Sequence, residues 1–282
     1  MSTLTAEQAC LLSLARMVWS KRAAAKAAGL SFNEETVTET LLLDLESEYP
    51  GSVQVVAFNK TQEAKTGADW LWSFVSADGN RSLTMLVQAK RLEDAEENYP
   101  GIKRNIGRRP PPVRQIDQLI ATATAQGVPA LYAFYNHVGQ ASRVPKTCRS
   151  LVSGDPDHVH GFGVSLADAH LVQAALPDET FDTHRSHSIP LHCLLCSEGS
   201  GARPGGGTPE MAARSIARLR DPIERDRPDG GALGLRDGLH PLVELALGFA
   251  DRRADDGEFA GIEKFSGIDG VLVLRDAKPT EQ

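Results

Sequence analysis

The chain has 282 residues with a formal net charge of -7, 41% hydrophobic and 24% charged, a balance that excludes a collagen, a coiled coil and a wholly disordered chain. The acidic balance argues against coating nucleic acid through bulk charge, yet leaves room for a compact site that uses metal ions. Four cysteines, Cys10, Cys148, Cys193 and Cys196, are too few for a disulfide framework at this length and point to a reducing, cytoplasmic setting.

Lys21, Arg22 and Lys26 follow the first apolar stretch instead of preceding it, unlike a signal peptide, and no run suits a bilayer span, so no membrane partner is expected. Residues 6–28 read as an amphipathic helix with Leu11, Leu12, Leu14, Met17 and Val18 on its apolar face and Gly29 as its stop. Ser31 and Glu34 have the spacing of a capping box. Val37, Leu41, Leu42 and Leu45 then carry a second helix to Pro50-Gly51.

From Ser52 the pattern turns to β, with Val53, Val55, Val56 and Phe58, and residues 69–76 form the next apolar run. Asp78-Gly79 is a strong hairpin signal and leads into residues 82–90 as its partner strand. Residues 113–126 read as a helix closed by Gly127 and Pro129, and residues 130–135 as another strand. The plan is alternating α/β. Beyond about residue 137 sustained periodicity is lost. A helix near Met211–Leu219 is expected on a mobile excursion between the linker-like stretches 197–209 and 221–231. Leu242–Phe249 reads as a helix and residues 270–274 as a closing strand. The expected organisation is an N-terminal helix (1–30), a core (31–140), and a less regular extension packing on the core (141–282) with a flexible segment about 197–232.

The informative chemistry lies between Glu35 and Lys90. With Asp78-Gly79 at the tip of a two-residue loop, Asp69 stands directly opposite Gln88, with Cβ atoms roughly 4.5–5.5 Å apart. A four-residue loop, Ala77 to Asn80, keeps that register. Lys90 lies two residues beyond Gln88 and shares its face. The other face carries Trp70, Trp72 and Phe74 opposite Leu83, Met85, Val87 and Ala89, an apolar set that must be buried. Glu35 and Glu39 sit one helical turn apart on the preceding helix. A carboxylate, an amide oxygen and helix carboxylates suit a hard divalent cation, with Lys90 beside it as a point charge.

Glu35-Thr-Val-Thr-Glu39, Gly67-Ala-Asp69 and Gln88-Ala-Lys90 together resemble the PD-(D/E)XK nuclease superfamily over roughly the N-terminal half, in particular a bacterial branch with Gly-Ala-Asp-Trp before the hairpin and Gln-Ala-Lys-Arg after it. Gln88 replaces the usual acidic residue and Ala68 the usual proline. The resemblance implies a restriction-endonuclease-like α/β core, a mixed sheet flanked by helices. It implies Mg²⁺ or Mn²⁺ held by Asp69, the Gln88 side-chain oxygen, the Ala89 carbonyl and either Glu35 or Glu39, with Lys90 activating water and stabilising phosphate charge. The implied activity is phosphodiester hydrolysis, in DNA, with a setting in bacterial defence and dimerisation for double-strand cutting. The alternative is a catalytically silent module that binds nucleic acid or a protein.

Lys103, Arg104, Arg108, Arg109 and Arg114 form a basic stretch suited to a phosphate backbone or, equally, to a solvated loop. Lys60 and Lys65 flank the bend before Asp69, where they could meet phosphates, and Gln115 and Gln118 open the next helix, where similar nucleases place polar residues near the site and nucleic acid, or where they form a simple exposed face. Tyr132 and Tyr135 read as core. Cys193-Leu-Leu-Cys196 has half of a zinc spacing but reads better as apolar cysteines buried in a strand, and His184, His187 and His192 read as surface.

Overall fold

The structure is a computed structural model that describes residues 4–57, 67–106, 112–145, 158–196, 207–220, 234–252 and 268–276. Helix α1 (Ala6–Ala27) is opened by a capping box in which the Gln8 N–H donates to Thr5 Oγ1 at 3.2 Å and the Thr5 N–H to Gln8 Oε1 at 3.0 Å. Its buried Arg22 donates to the Leu92 carbonyl at 2.5 Å and pairs with Asp94 at 3.2 Å, fixing the helix to the segment after the Asp78-Gly79 hairpin. Helix α2 (Glu34–Glu48) starts with Asn33 as N-cap, without a side-chain cap. The expected Ser31–Glu34 capping box does not form, because the helix begins at Glu34 itself and that side chain is engaged elsewhere.

Ten short strands follow: β1 (Val53–Ala57), β2 (Trp70–Val75), β3 (Arg81–Arg91), β4 (Asn105–Ile106), β5 (Val113–Arg114), β6 (Ala130–Tyr135), β7 (Val164–Asp168), β8 (Ser188–Pro190), β9 (Leu235–Asp237) and β10 (Gly270–Arg275). Helices α3 (Gln115–Gln126), α4 (Ala169–Ala175), α5 (Phe181–Arg185), α6 (Thr208–Arg220) and α7 (Pro241–Arg252) complete the described set. The main sheet runs β1-β10-β2-β3-β6-β7-β8, with β9 on the free side of the first turn of β3 and β4-β5 as a separate ribbon. The β2–β10 and β3–β6 pairs are parallel and the others antiparallel. This is a mixed sheet flanked by helices, the α/β architecture expected from the sequence.

The β2–β3 register pairs Trp70 with Val87 and Phe74 with Leu83. The loop holds four residues instead of two: the Ser76 N–H donates to the Arg81 carbonyl and the Gly79 N–H to the Ser76 carbonyl, both at 2.9 Å. The expected register survives because a four-residue loop adds one residue on each side of the tip. Trp70, Trp72, Phe74, Leu83, Met85, Val87 and Ala89 lie in one apolar layer with α1, α2 and α6. Leu71, Leu86, Tyr132 and Phe134 lie in the opposite layer with α3 and α7.

Four expectations are corrected by this packing. Residues 141–282 are not an extension laid on a finished core: they supply β7–β10, and β10 is an inner strand between β1 and β2. Helix α6 is no excursion, since Ala212, Ala213 and Ile216 are buried in the α1–α2 layer and Leu219 is buried too. His184 and His192 are fully buried, not surface; His184 Nδ1 lies 3.1 Å from His187 Nε2 and its Nε2 3.0 Å from the Asp178 carbonyl, so burial leaves no ring nitrogen of His184 unpaired. Cys193 sits in a 3-10 turn (Leu191–Leu195) that Cys196 closes, not a strand, and both are half-buried. Cys148, Phe58, residues 197–206 and residues 221–233 lie outside the described residues. Among the described residues no helix is long and apolar enough to cross a membrane.

Candidate functional site

Asp69 immediately precedes β2, held by its N–H donating to the Val87 carbonyl at 3.0 Å, which continues the antiparallel ladder by one residue and sets it opposite Gln88. The preceding Gly67 passes so close to α3 that a Cβ there would stand 2.6 Å from the Gln115 carbonyl oxygen and from the Leu119 nitrogen, and its φ is +75°. Only glycine supplies that approach and that conformation together. Thus the Gly-Ala-Asp run delivers the carboxylate to the end of the hairpin.

The expected trio converges. Gln88 Nε2 donates to Asp69 Oδ2 at 2.6 Å and to the Ala89 carbonyl at 3.1 Å, and the Ala89 N–H donates to Asp69 Oδ2 at 3.0 Å. Gln88 Oε1 accepts from Gln115 Nε2 at 2.6 Å. Gln115 is therefore a buried member of the site instead of the nucleic-acid contact expected. Tyr132, the cross-strand neighbour of Gln88, is buried beside it, and burial and the Asp69 charge push its hydroxyl well up. The Tyr132 hydroxyl and Gln115 Oε1 have no hydrogen-bond partner among the described residues.

Lys90 is buried and its Nζ donates to Glu34 Oε1 at 3.3 Å, while Glu34 Oε2 accepts the Arg91 N–H at 3.2 Å. The helix carboxylate in contact with the lysine is thus Glu34. The sequence hid it because a capping box gave Glu34 a local task. Glu35 and Glu39 are exposed and line a cleft of about 290 Å³ that also reaches Asp69, Leu42, Leu43 and Asp269. Asp269 was not anticipated. It directly precedes β10 as Asp69 precedes β2, and the parallel register of Gly270 with Trp70 sets the two side by side, with the Asp269 N–H donating to the Asp69 carbonyl at 2.6 Å. An aspartate at the mouth of a short apolar run was its one sequence signal.

Burial pushes the Asp69 carboxyl up to about 6; Lys90 pulls it down, Glu34 pushes it up, the Ala89 N–H pulls it down and Asp269 pushes it up. This is an environment short of positive charge. Among the described residues no three His, Cys, Asp or Glu side chains form a group that could hold a metal ion, so a cation here must draw on other oxygens. Asp69 Oδ2 and the Ala89 carbonyl supply two, both directed at the point that the positive end of the Gln88 amide fills. The donor set fits a hard divalent cation when the Gln88 amide turns over and sets Oε1 beside those two oxygens, so that the three could surround the ion.

The basic stretch is partly neutralised: Lys103 pairs with Glu179 at 2.9 Å and Arg114 with Asp117 at 2.8 Å. Arg104 is exposed, and its carbonyl accepts the Gln115 N–H at 2.8 Å, tying the stretch to the start of α3. Arg108, Arg109, Lys60 and Lys65 lie outside the described residues.

A family model described as "Family of unknown function (DUF6615)" matches residues 7–261. No curated protein and no solved structure matches the chain.

Proposed function

We propose that the chain, which belongs to the DUF6615 family, is a metal-dependent nuclease with a restriction-endonuclease-like core that hydrolyses phosphodiester bonds in DNA. The observation that carries the reading is the convergence of Asp69 Oδ2, the Gln88 amide and the Ala89 carbonyl on one point, with Lys90 on the same strand. Asp69, Ala89 and Gln88 are the residues that would hold Mg²⁺ or Mn²⁺, which would supply charge neutralisation at a phosphoryl oxygen and a more acidic water.

The protein's own groups do the rest. Lys90 has three N–H donors and directs one at Glu34. Its fixed charge favours the transition state, where charge on the phosphoryl oxygens is greatest. Glu34 orients that ammonium through a carboxylate itself fixed on the Arg91 N–H. Arg104 and its basic neighbours suit the sugar-phosphate backbone, which makes binding salt-dependent. Defence against foreign DNA is the cellular setting that this activity suits.

One observation favours a second reading. The Gln88 amide presents its NH₂ donor, not its oxygen, to Asp69 and the Ala89 carbonyl, which is what a catalytically silent nucleic-acid-binding module would retain. Purified protein, Asp69→Ala and Lys90→Ala should be compared on supercoiled plasmid, linear duplex, single-stranded DNA and RNA in Mg²⁺ and Mn²⁺. The nuclease reading expects metal-dependent cutting of DNA that falls by about a hundredfold or more in each variant. Equal inertness of all three, with salt-sensitive nucleic-acid binding, would establish the silent module instead.

A further inference from the structure

The two buried amides under Asp69 form a hydrogen-bond chain with one end left open. Gln115 Nε2 donates to Gln88 Oε1 and Gln88 Nε2 donates to Asp69 Oδ2, each at 2.6 Å. Gln88 is 1% and Gln115 6% exposed, so neither amide can turn to bulk water. Yet Gln115 Oε1, the last atom of the chain, is buried without a partner among the described residues. A buried acceptor without a donor is costly and asks for an explanation.

A primary amide exchanges its oxygen and nitrogen in half a turn with almost no change of shape. If both amides turn, Gln88 Nε2 donates to Gln115 Oε1, so the Gln115 oxygen gains a donor and the Gln115 NH₂ takes the place that the oxygen held. Gln88 Oε1 then stands beside Asp69 Oδ2 and the Ala89 carbonyl, three oxygens around one point. Such a cluster is repulsive when empty and attractive around a cation. If Gln88 turned alone, its Nε2 would meet Gln115 Nε2, donor against donor. The two settings are therefore all or none: the Gln88 NH₂ facing Asp69 and Ala89 without a cation, and the Gln88 oxygen facing them with one.

We propose that Gln115 is a positioning residue whose amide turns together with that of Gln88, so that a divalent cation is admitted between Asp69 and Ala89 only in the turned setting. This rests on the divalent-cation reading of the site. It explains how a neutral residue serves where a carboxylate is expected: Gln88 acts as ligand because Gln115 can accept the hydrogen bond that Gln88 must place elsewhere. The sequence reading put Gln115 at the nucleic-acid surface and gave it no such task.

The test measures Mn²⁺ binding calorimetrically on wild type, Asp69→Asn, Gln115→Met and Gln115→Glu, with thermal unfolding confirming that each is folded. Mg²⁺ titration of the side-chain amide resonances supplies a readout that a merely structural Gln115 would not move. Gln115→Met leaves the turned Gln88 NH₂ without an acceptor and is expected to bind Mn²⁺ about tenfold more weakly or worse. Gln115→Glu accepts without donating and is expected to bind more tightly than wild type. In wild type the Gln88 and Gln115 amide resonances should shift together, with one midpoint. Mn²⁺ binding that is lost in Asp69→Asn yet unchanged in Gln115→Met, or a Gln115 amide that ignores Mg²⁺, would overturn the coupled pair and leave the metal site standing. Absence of Mn²⁺ binding by the wild type would overturn the metal site and the amide pair with it.

Discussion

Burial is the largest influence on the Asp69 carboxyl and pushes it up to about 6 from the ordinary 3.8, against the pull of Lys90. The fold therefore prefers the neutral acid. The stability this contributes is complete below about pH 4 and is lost as pH rises through 6, a swing of roughly 3 kcal/mol between the two protonation states. Asp69→Asn keeps an oxygen for the Gln88 and Ala89 N–H donors and cannot ionise. In chelator, urea unfolding at pH 5 and pH 8 should show the variant gaining on wild type as pH rises; a difference that stays constant between the two would remove the electrostatic account of this residue. The same penalty is what a bound cation would relieve, which links this burial to the proposed metal role of Asp69.

At the scale of elements, the turn before β2 depends on how α3 passes over it. Gly67→Ala would place a methyl 2.6 Å from two backbone atoms of α3 at a φ of +75°, a clash added to the left-handed penalty of roughly 1–2 kcal/mol. Gly127, the left-handed cap of α3, has φ +67° with open space around it, so Gly127→Ala bears the penalty alone. Chemical denaturation should find Gly67→Ala costlier by at least about 1 kcal/mol; equal losses would mean that α3 slides aside without strain. Local pairings such as this hairpin were legible in the sequence because a turn signal and alternating residues fix register over a few positions. Helix α2 and its buried face, with Val37, Leu41 and Leu45, were legible from helical spacing. Three features were not. Glu34 looked occupied by a cap, Gln115 looked like an exposed helix start because its partner Gln88 is 27 positions away, and His184 looked polar because Tyr99 and Phe134, whose rings pack on it, lie far upstream.

The molecule as a whole is assembled by interleaving distant pieces of chain, and β10 is the clearest instance. Residues 270–274 read as a closing strand, but five apolar residues carry no local information about their neighbours, and the sheet inserts them between β1 and β2. That insertion pairs every residue of β2 with one of β10 and every residue of β1 with another. It also anchors α6, since Asp276 at the end of β10 accepts from the Thr208 hydroxyl at 2.5 Å and from the Thr208 N–H. A chain ending at residue 267 would leave β1 without its pairing partner, turn β2 into an edge strand with unpaired backbone groups, and strip Val271, Leu272 and Val273 from both layers. It is expected to lose cooperative unfolding in urea altogether. A truncated chain with an intact transition would mean that β1 and β2 can close on each other, and the inner placement of β10 would no longer be needed to explain stability. Asp269→Asn separates this structural role from the electrostatic one: it leaves β10 and the Asp269 N–H in place while removing one of the charges that raise Asp69. A variant that unfolds like wild type but titrates Asp69 at lower pH would show that the C-terminal strand both completes the sheet and sets the charge of the site.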